Sequence, residues 1–427
     1  MRIKLHWQIL IAILIAGFAG YFVPQALPLY EFIGKLFING LKMIIVPLVV
    51  SSIVIGVAGL GSGEHIGRLG IKTVSFYVIT TMAAILVGLV LVNVVQPGLD
   101  GDGEPVKELL SLSASTDTVE SKVGGKGWGD IVDVFVRMVP SNVFEAASDN
   151  GRLLALIFFS ILFGFFMTRL EHAYAEHLFK FWDAIYKVMM MITDMVMKVA
   201  PIGVFGLIAT VVAKQIADLE ENAGGVGAIA SLLQPLIVFA GVVLAALLVH
   251  MLIVLPLLLK FVARVRPYKL IPAMADALVT AFSTASSSAT LPVTMDCTRD
   301  NSGVSGKVSS FVLPLGATVN MNGSALYECV AVIFLAQAYG LELSIATQII
   351  IVITALLTSI GVAGVPAASL VAITIILTVV GMPAEAIGVL FITDRLLDMA
   401  RTATNVFGDA TCAVIVARLE GEETKLT

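Results

Sequence analysis

The sequence predicts an all-α polytopic membrane protein, and three observations carry that prediction. Of the 427 residues, 58% are hydrophobic and only 13% are charged, and the mean hydropathy is +0.98. A soluble domain carries about 25% charged residues, so the excess apolar surface here must face lipid. Apolar segments then recur along the whole chain, and a single span needs about 20 such residues. The length therefore allows roughly eight to ten spans with their connections. Finally, polar clusters interrupt the apolar runs of the C-terminal third, as expected of a site inside the bilayer.

The remaining composition excludes other classes. Net charge is -5, with no basic tract suited to nucleic acid. Cys297, Cys329 and Cys412 are too few and too scattered for a disulfide framework, and no Cys-x-x-Cys pair exists.

In chain order, the apolar segments fall at about 7–23, 30–59, 72–96, 152–168, 180–213, 226–262, 308–338, 345–380 and 384–417. The start Met1-Arg2-Ile3-Lys4 suits a signal peptide, but the run from Trp7 to Val23 lacks a convincing cleavage site and reads as a first transmembrane helix. Several segments exceed one span and imply tilt, a break or a re-entrant hairpin. Pro47 and Pro201 lie inside two of them and imply kinks. Residues 98–126 hold Asp100, Asp102, Glu104, Asp117 and Glu120 among Ser, Thr and Gly, the composition of a solvated loop. Placing Arg2 and Lys4, Arg68 and Lys72, and Lys260, Arg264, Arg266 and Lys269 in the cytoplasm gives a consistent alternation. The 98–126 loop is then extracellular. The tail with Arg418 and Lys425 is cytoplasmic after an even number of spans, so both termini are inside a multi-pass protein of the cell (inner) membrane.

Three clusters break the apolar runs between about 280 and 410: Ser283 to Ser288, Gly316 to Ser324, and Ser359 to Pro366. Interrupted helices expose carbonyls that bind cations and N-termini that bind anions, and breaks of this kind point to a transport site. In the last segment, Asp398, Arg401, Thr402, Asn405 and Asp409 step by three, one, three and four and share one helix face. That face offers an anion for an ammonium, a guanidinium fork for a carboxylate, an amide and a second carboxylate. A zwitterion with an extra carboxylate matches it. Each cluster also has a plainer reading: intrahelical ion pairs in the last helix, small-residue packing for Ser286 to Ser288, and interhelical hydrogen bonds for Asn320 and Asn322. Asp394 and Arg395 fit a helix start in water. Glu328 lies in a long apolar run, where burial favours a neutral carboxyl; it reads as a proton carrier or as a group at a wet cavity edge. His250 has no nearby carboxylate in sequence and reads as structural.

At these residues the chain resembles the glutamate/aspartate transporter family, the dicarboxylate/amino acid:cation symporters, as a prokaryotic, excitatory amino-acid transporter-like member. The resemblance covers nearly the whole chain. It is most specific in the runs from Ser286 to Pro292, Asn320 to Glu328, Gly361 to Pro366 and Asp398 to Asp409. It implies eight transmembrane helices and two re-entrant helical hairpins, at about 270–297 and 344–380, with tips at Ser286 to Ser288 and Gly361 to Pro366. It implies a homotrimer whose trimerisation scaffold (mainly 1–70 and 127–215) holds an elevator-like transport domain (mainly 71–97 and 226–420), the second hairpin acting as outer gate.

The resemblance also implies residue roles. Arg401 takes the side-chain carboxylate and Asp398 the amino group. Asn405 holds the main carboxylate with Ser287 and Ser288 of the first hairpin. Thr402 and Ser324 complete the substrate set, and Val365 adds backbone contacts. Gly316, Asn320, Asn405 and Asp409 match one sodium site, and Thr318 and Ser359 part of a second. Tyr77, Thr80 and Thr81 match the third-helix side of another, where Asn322 replaces the Asp of sodium-coupled members. Val362 likewise replaces a possible Thr ligand, and Glu328 matches the Glu of members that carry protons. The expectation is symport of aspartate or glutamate with fewer sodium ions or with protons, and no further cofactor. A C4-dicarboxylate carrier lacks the equivalent of Asp398, and a neutral amino-acid exchanger loses Arg401. An enzyme is not expected: a nucleophilic serine needs a positioned base, and no His lies in these clusters. A passive channel needs pore rings instead.

Overall fold

The computed structural model describes residues 5–59, 64–101, 103–106, 136, 138–148, 153–220, 227–361 and 368–427. Among them every regular element is helical, apart from an isolated bridge between Leu99 and Pro105. That bridge opens the acidic loop; the rest of 98–126, from residue 107 on, lies outside the described residues.

The first apolar run forms α1 (Leu5–Phe22), and a Pro24–Ala26 turn leads into α2 (Leu27–Ala58). Pro24 and Pro28 open their helical segments, where a missing N–H costs nothing. The Tyr30 hydroxyl lies 3.2 Å from the carbonyls of both Ala19 and Val23 and pins the corner. Next come α3 (Glu64–Val95), which starts earlier than its apolar run, a short helix at Val143–Ser148, and α4 (Leu153–Met167). Helix α5 (His172–Glu220) bends by 53° between its Thr193 and Lys198 ends. Pro201 follows directly; its ring crowds the carbonyl four residues back, which accounts for the bend.

Helices α1, α2 and α5 pack closely because glycines line their seams. A Cβ on Gly206 would stand 2.7 Å from Ile33 Cγ2 and 2.8 Å from the Gly34 nitrogen. Close backbone approach of this kind gathers dispersion contacts where no hydrophobic driving force separates helix from lipid.

The C-terminal part is built from broken helices. Helix α6 (Gly227–Val249) continues through π-helical turns to Ala263, with the buried His250 opening the first of them. Helices α7 (Ala275–Thr284) and α8 (Ser287–Asp296) form a tight hairpin. Ala285 takes a left-handed conformation (φ 51°), and Ser286, in extended geometry, caps α8 by accepting from the Ala289 amide at 3.2 Å. This turn coincides with the first expected tip. The run at 308–338 is not one helix: α9 (Gly306–Val319) stops, Asn320 and Met321 are non-helical, and α10 (Asn322–Ala338) begins. Helices α11 (Ile345–Gly361) and α12 (Ala368–Val380) pack on each other. Their expected tip, with Val362 and Val365, lies outside the described residues. Helix α13 (Phe391–Leu419) ends the chain's helical path.

Among the described residues, by length and composition, Leu69–Val95, Leu233–Ala263 and Gly306–Ala338 can each cross a membrane, and the bent α5 adds a fourth span when taken whole. The Gly306–Ala338 run differs from the others: 94% of its most apolar window is buried inside the protein. Its surroundings are helices, not lipid. Helix α10 packs on α3, α6, α11, α12 and α13, while α2 packs mainly on α4 and α5.

The glycine seam gives a direct test. Gly206→Val should overpack the α2–α5 contact and destabilise the fold by about 1–3 kcal/mol. A thermal unfolding midpoint in detergent equal to that of the parent protein would disprove the role given to this seam.

Candidate functional site

The break between α9 and α10 frees backbone donors, because the first turn of a helix has no intrahelical partners for its N–H groups. The amide of Gly323, in that first turn, donates to Asn405 Oδ1 on α13 at 2.7 Å. Asn405 Nδ2 in turn reaches Ser324 Oγ at 3.3 Å and Met321 Sδ at 3.4 Å. One amide side chain on α13 thus spans the break. Almost every residue of α13 from Arg401 to Ala417 is buried, so the face read from spacing points into protein.

One turn before Asn405 lies Arg401, whose side chain is wholly buried. Its Nη2 donates to Asp398 Oδ1 at 2.9 Å and to Asp394 Oδ1 at 3.0 Å. Its guanidinium carbon sits 3.9 Å above the centre of the Tyr327 ring. The stacking and the two carboxylates compensate the loss of water around the cation. Nε and Nη1 find no hydrogen-bond partner among the described residues. Buried donors of this kind are costly when unmatched, and they are what a ligand carboxylate would take. Asp394 corrects the reading of a helix start in water: it is buried and paired. Its spacing of seven from Arg401 puts it on the same face, a signal present in the sequence.

One turn after Asn405 lies Asp409, also buried. Its Oδ1 accepts from Asn320 Nδ2 at 2.8 Å, and Thr80 Oγ1 donates to Asn320 Oδ1 at 3.3 Å. A Cβ on Gly316 would stand 2.5 Å from Asp409 Oδ1 and 2.9 Å from the Tyr77 hydroxyl, so only glycine leaves room there. Gly316, Asn320, Asn405 and Asp409 therefore lie together around the break. The donor set of oxygens with one carboxylate fits a hard monovalent cation. Tyr77 donates to the Val312 carbonyl at 2.6 Å, and Thr81 donates to Asn322 Oδ1 at 2.8 Å, so α3 reaches the same place.

Other expected residues are occupied locally. Thr318, Ser359 and Thr402 donate to carbonyls of their own helices, at Leu315 (2.9 Å), Leu356 (2.8 Å) and Asp398 (2.8 Å). Ser287 is buried at the first hairpin turn, whereas Ser288 is exposed. Glu328 is fully buried on α10 and accepts from Thr358 Oγ1 of α11 at 2.9 Å. The sequence assigned no role to Tyr327 or Thr358; only packing brings them to Arg401 and Glu328.

Residues 5–419, which include the whole of this arrangement, match the model of the sodium:dicarboxylate symporter family. The chain belongs to that family. This member of the family is similar over nearly the whole given sequence to proteins of named activity. It is 36% identical to the proton/glutamate-aspartate symporter of Escherichia coli strain K12, across 98% of this chain and 94% of that protein. It is 35% identical to the proton/sodium-glutamate symport protein of Bacillus caldotenax, across 99% and 96%. It is also 35% identical to mouse excitatory amino acid transporter 3, across 92% and 80%. The family consists of membrane symporters, and this member is a transporter, not an enzyme.

The ion cluster of this symporter makes a testable contribution to its stability. Asp394→Ala removes one of two carboxylates from a buried guanidinium, and the expected loss is about 1–3 kcal/mol, since Asp398 remains. Thermal unfolding of the substrate-free protein reads this directly. An unchanged midpoint would show that Asp394 does not stabilise Arg401.

Proposed function

We propose that this symporter imports the acidic amino acids aspartate and glutamate, coupled to sodium and protons. The observation that carries this reading is the Arg401 cluster. A buried guanidinium keeps Nε and Nη1 for a ligand carboxylate, and the Asp398 carboxylate lies 2.9 Å from it for a ligand ammonium. A C4-dicarboxylate has no ammonium for Asp398, and a neutral amino acid leaves Nε and Nη1 of Arg401 unmatched. The names of the relatives, proton/glutamate-aspartate and proton/sodium-glutamate symporters, support the same substrates and ions.

In this reading Asn405, Ser324, Thr402, Ser287, Ser288 and Val365 complete the substrate site. Sodium is held by Gly316, Asn320, Asn405 and Asp409, by Thr318 and Ser359, and more weakly by Tyr77, Thr80, Thr81 and Asn322. Glu328 carries the proton. The protein works as a homotrimer in the cell membrane with both termini in the cytoplasm, eight spans and two re-entrant hairpins. A scaffold of mainly 1–70 and 127–215 supports an elevator made of mainly 71–97 and 226–420. The packing of α3 with α6 and α10, and of α1 and α2 with α5, supports that division. The turn at Ala285 and Ser286 supports the first hairpin.

Uptake of labelled aspartate and glutamate into proteoliposomes under a sodium gradient, a proton gradient, or each alone tests the function. Arg401→Ala should raise the half-saturating concentration of either substrate at least about 30-fold, since removing one partner of a buried charge pair costs 2–5 kcal/mol or more. Unchanged aspartate uptake by that variant would falsify the substrate assignment.

Glu328→Gln mimics a permanently protonated side chain. Uptake by this variant is expected to ignore an imposed proton gradient while still responding to substrate. If proton drive persists at the parental level, Glu328 is not the carrier.

A further inference from the structure

Two chains of hydrogen bonds run in parallel across the break between α9 and α10. The first is Thr80 to Asn320 to Asp409, at 3.3 and 2.8 Å, and it ends on a carboxylate. The second is Thr81 to Asn322 to His250: Thr81 donates to Asn322 Oδ1 at 2.8 Å, and Asn322 Nδ2 lies 3.4 Å from His250 Nε2. It ends on an imidazole. All three members are buried. His250 opens a π-helical turn in α6, and the extra residue of such a turn re-aims side chains, often at functional sites. Room for the Asn322 amide comes from Gly408 on α13, where a Cβ would stand 2.6 Å from Nδ2.

The chemistry of the amide gives this contact a consequence. An Asn side chain has one end that accepts and one that only donates, and its partners decide which way it faces. Nδ2 donates only, so Nε2 facing it acts as the acceptor. With Nδ2 held there, Oδ1 points to α3 and the Thr81 hydroxyl. An oxygen there suits a transported cation; an NH2 group would repel it. A carboxylate at 322 has two equivalent oxygens and needs no such orientation.

We propose that His250 is a positioning residue for ion coupling: by accepting from the Asn322 amide nitrogen it holds the amide oxygen toward α3, where that oxygen serves as a neutral ligand for a transported sodium ion. The proposal rests on the reading of the chain as a sodium-coupled symporter. It assigns to α6 a part in a cation site otherwise drawn from α3 and the break, and makes that part specific to a chain with Asn at 322.

The test is a double-mutant cycle on purified full-length protein. Sodium chloride is titrated against the thermal unfolding midpoint without amino acid, with choline chloride as control, since an ion that binds only the folded state raises that midpoint. Sodium dependence and maximal rate of uptake are measured alongside. His250→Phe removes the acceptor at similar volume and should raise the half-saturating sodium concentration by about 5-fold, the weight of one neutral hydrogen bond, with little change in maximal rate. His250→Gln offers a new acceptor and should restore the parental value. In the Asn322→Asp background, His250→Phe should leave sodium affinity unchanged. The proposal is overturned if His250→Phe shifts sodium affinity equally in both backgrounds or in neither, if Gln fails to restore it, or if sodium does not stabilise the parent protein. A wrong substrate assignment shows separately, as absent aspartate and glutamate uptake by the parent protein; the sodium titration does not depend on it.

Discussion

A guanidinium wholly buried among apolar helices is the constraint on which the rest of the site depends. Desolvating an ion costs several kcal/mol unless partners replace its water. Arg401 finds them in Asp394 and Asp398 and in the face of Tyr327. Arg395 approaches Asp398 from the other side at 3.8 Å, so two cations and two anions form a near-neutral set. None of these groups is independent. The carboxylates need the guanidinium, the guanidinium needs the ring of α10, and α10 must therefore lie against α13. The remaining donors of Arg401, without partners among the described residues, are what the proposed substrate carboxylate would take.

The same economy governs the broken helix. Backbone polar groups freed at membrane depth must be satisfied by protein or by what the cavity binds. Asn405 takes the Gly323 amide, and Asn320 and Asn322 flank the break and reach in turn for α3, α13 and α6. The close approach needs residues without side chains, which is why Gly316 and Gly408 stand opposite Asp409 and Asn322. Around this polar centre the chain returns to ordinary membrane chemistry, with exposed Phe18, Phe22, Leu36, Val94 and Met191 on outward faces. The membrane reading thus explains both the apolar exterior and the polar interior.

Much of this was legible in the residues. Apolar run length announced the helices, and Pro201 announced the bend of α5, because both effects are local. The steps between Asp398 and Asp409 announced one polar face, since helical periodicity converts spacing into direction. Asp394 shares that face and was readable from its spacing of seven, yet its place near the helix start suggested water. Burial overruled that, because α13 begins inside the packed bundle. The break at Asn320 and Met321 was visible as a polar interruption, but an interruption does not say whether a helix bends, stops or continues.

The sequence by itself determined an all-helical membrane symporter and the polar character of its C-terminal third. Those follow from composition, periodicity and motif, which act over neighbouring residues. Only the tertiary structure decided the partnerships: Tyr327 under Arg401, Thr358 on Glu328, Thr80 on Asn320, and His250 against Asn322. These pairs join helices up to 240 residues apart in the chain. No local propensity encodes such a distance; it is set when the helices pack and each buried polar group must find a partner within reach.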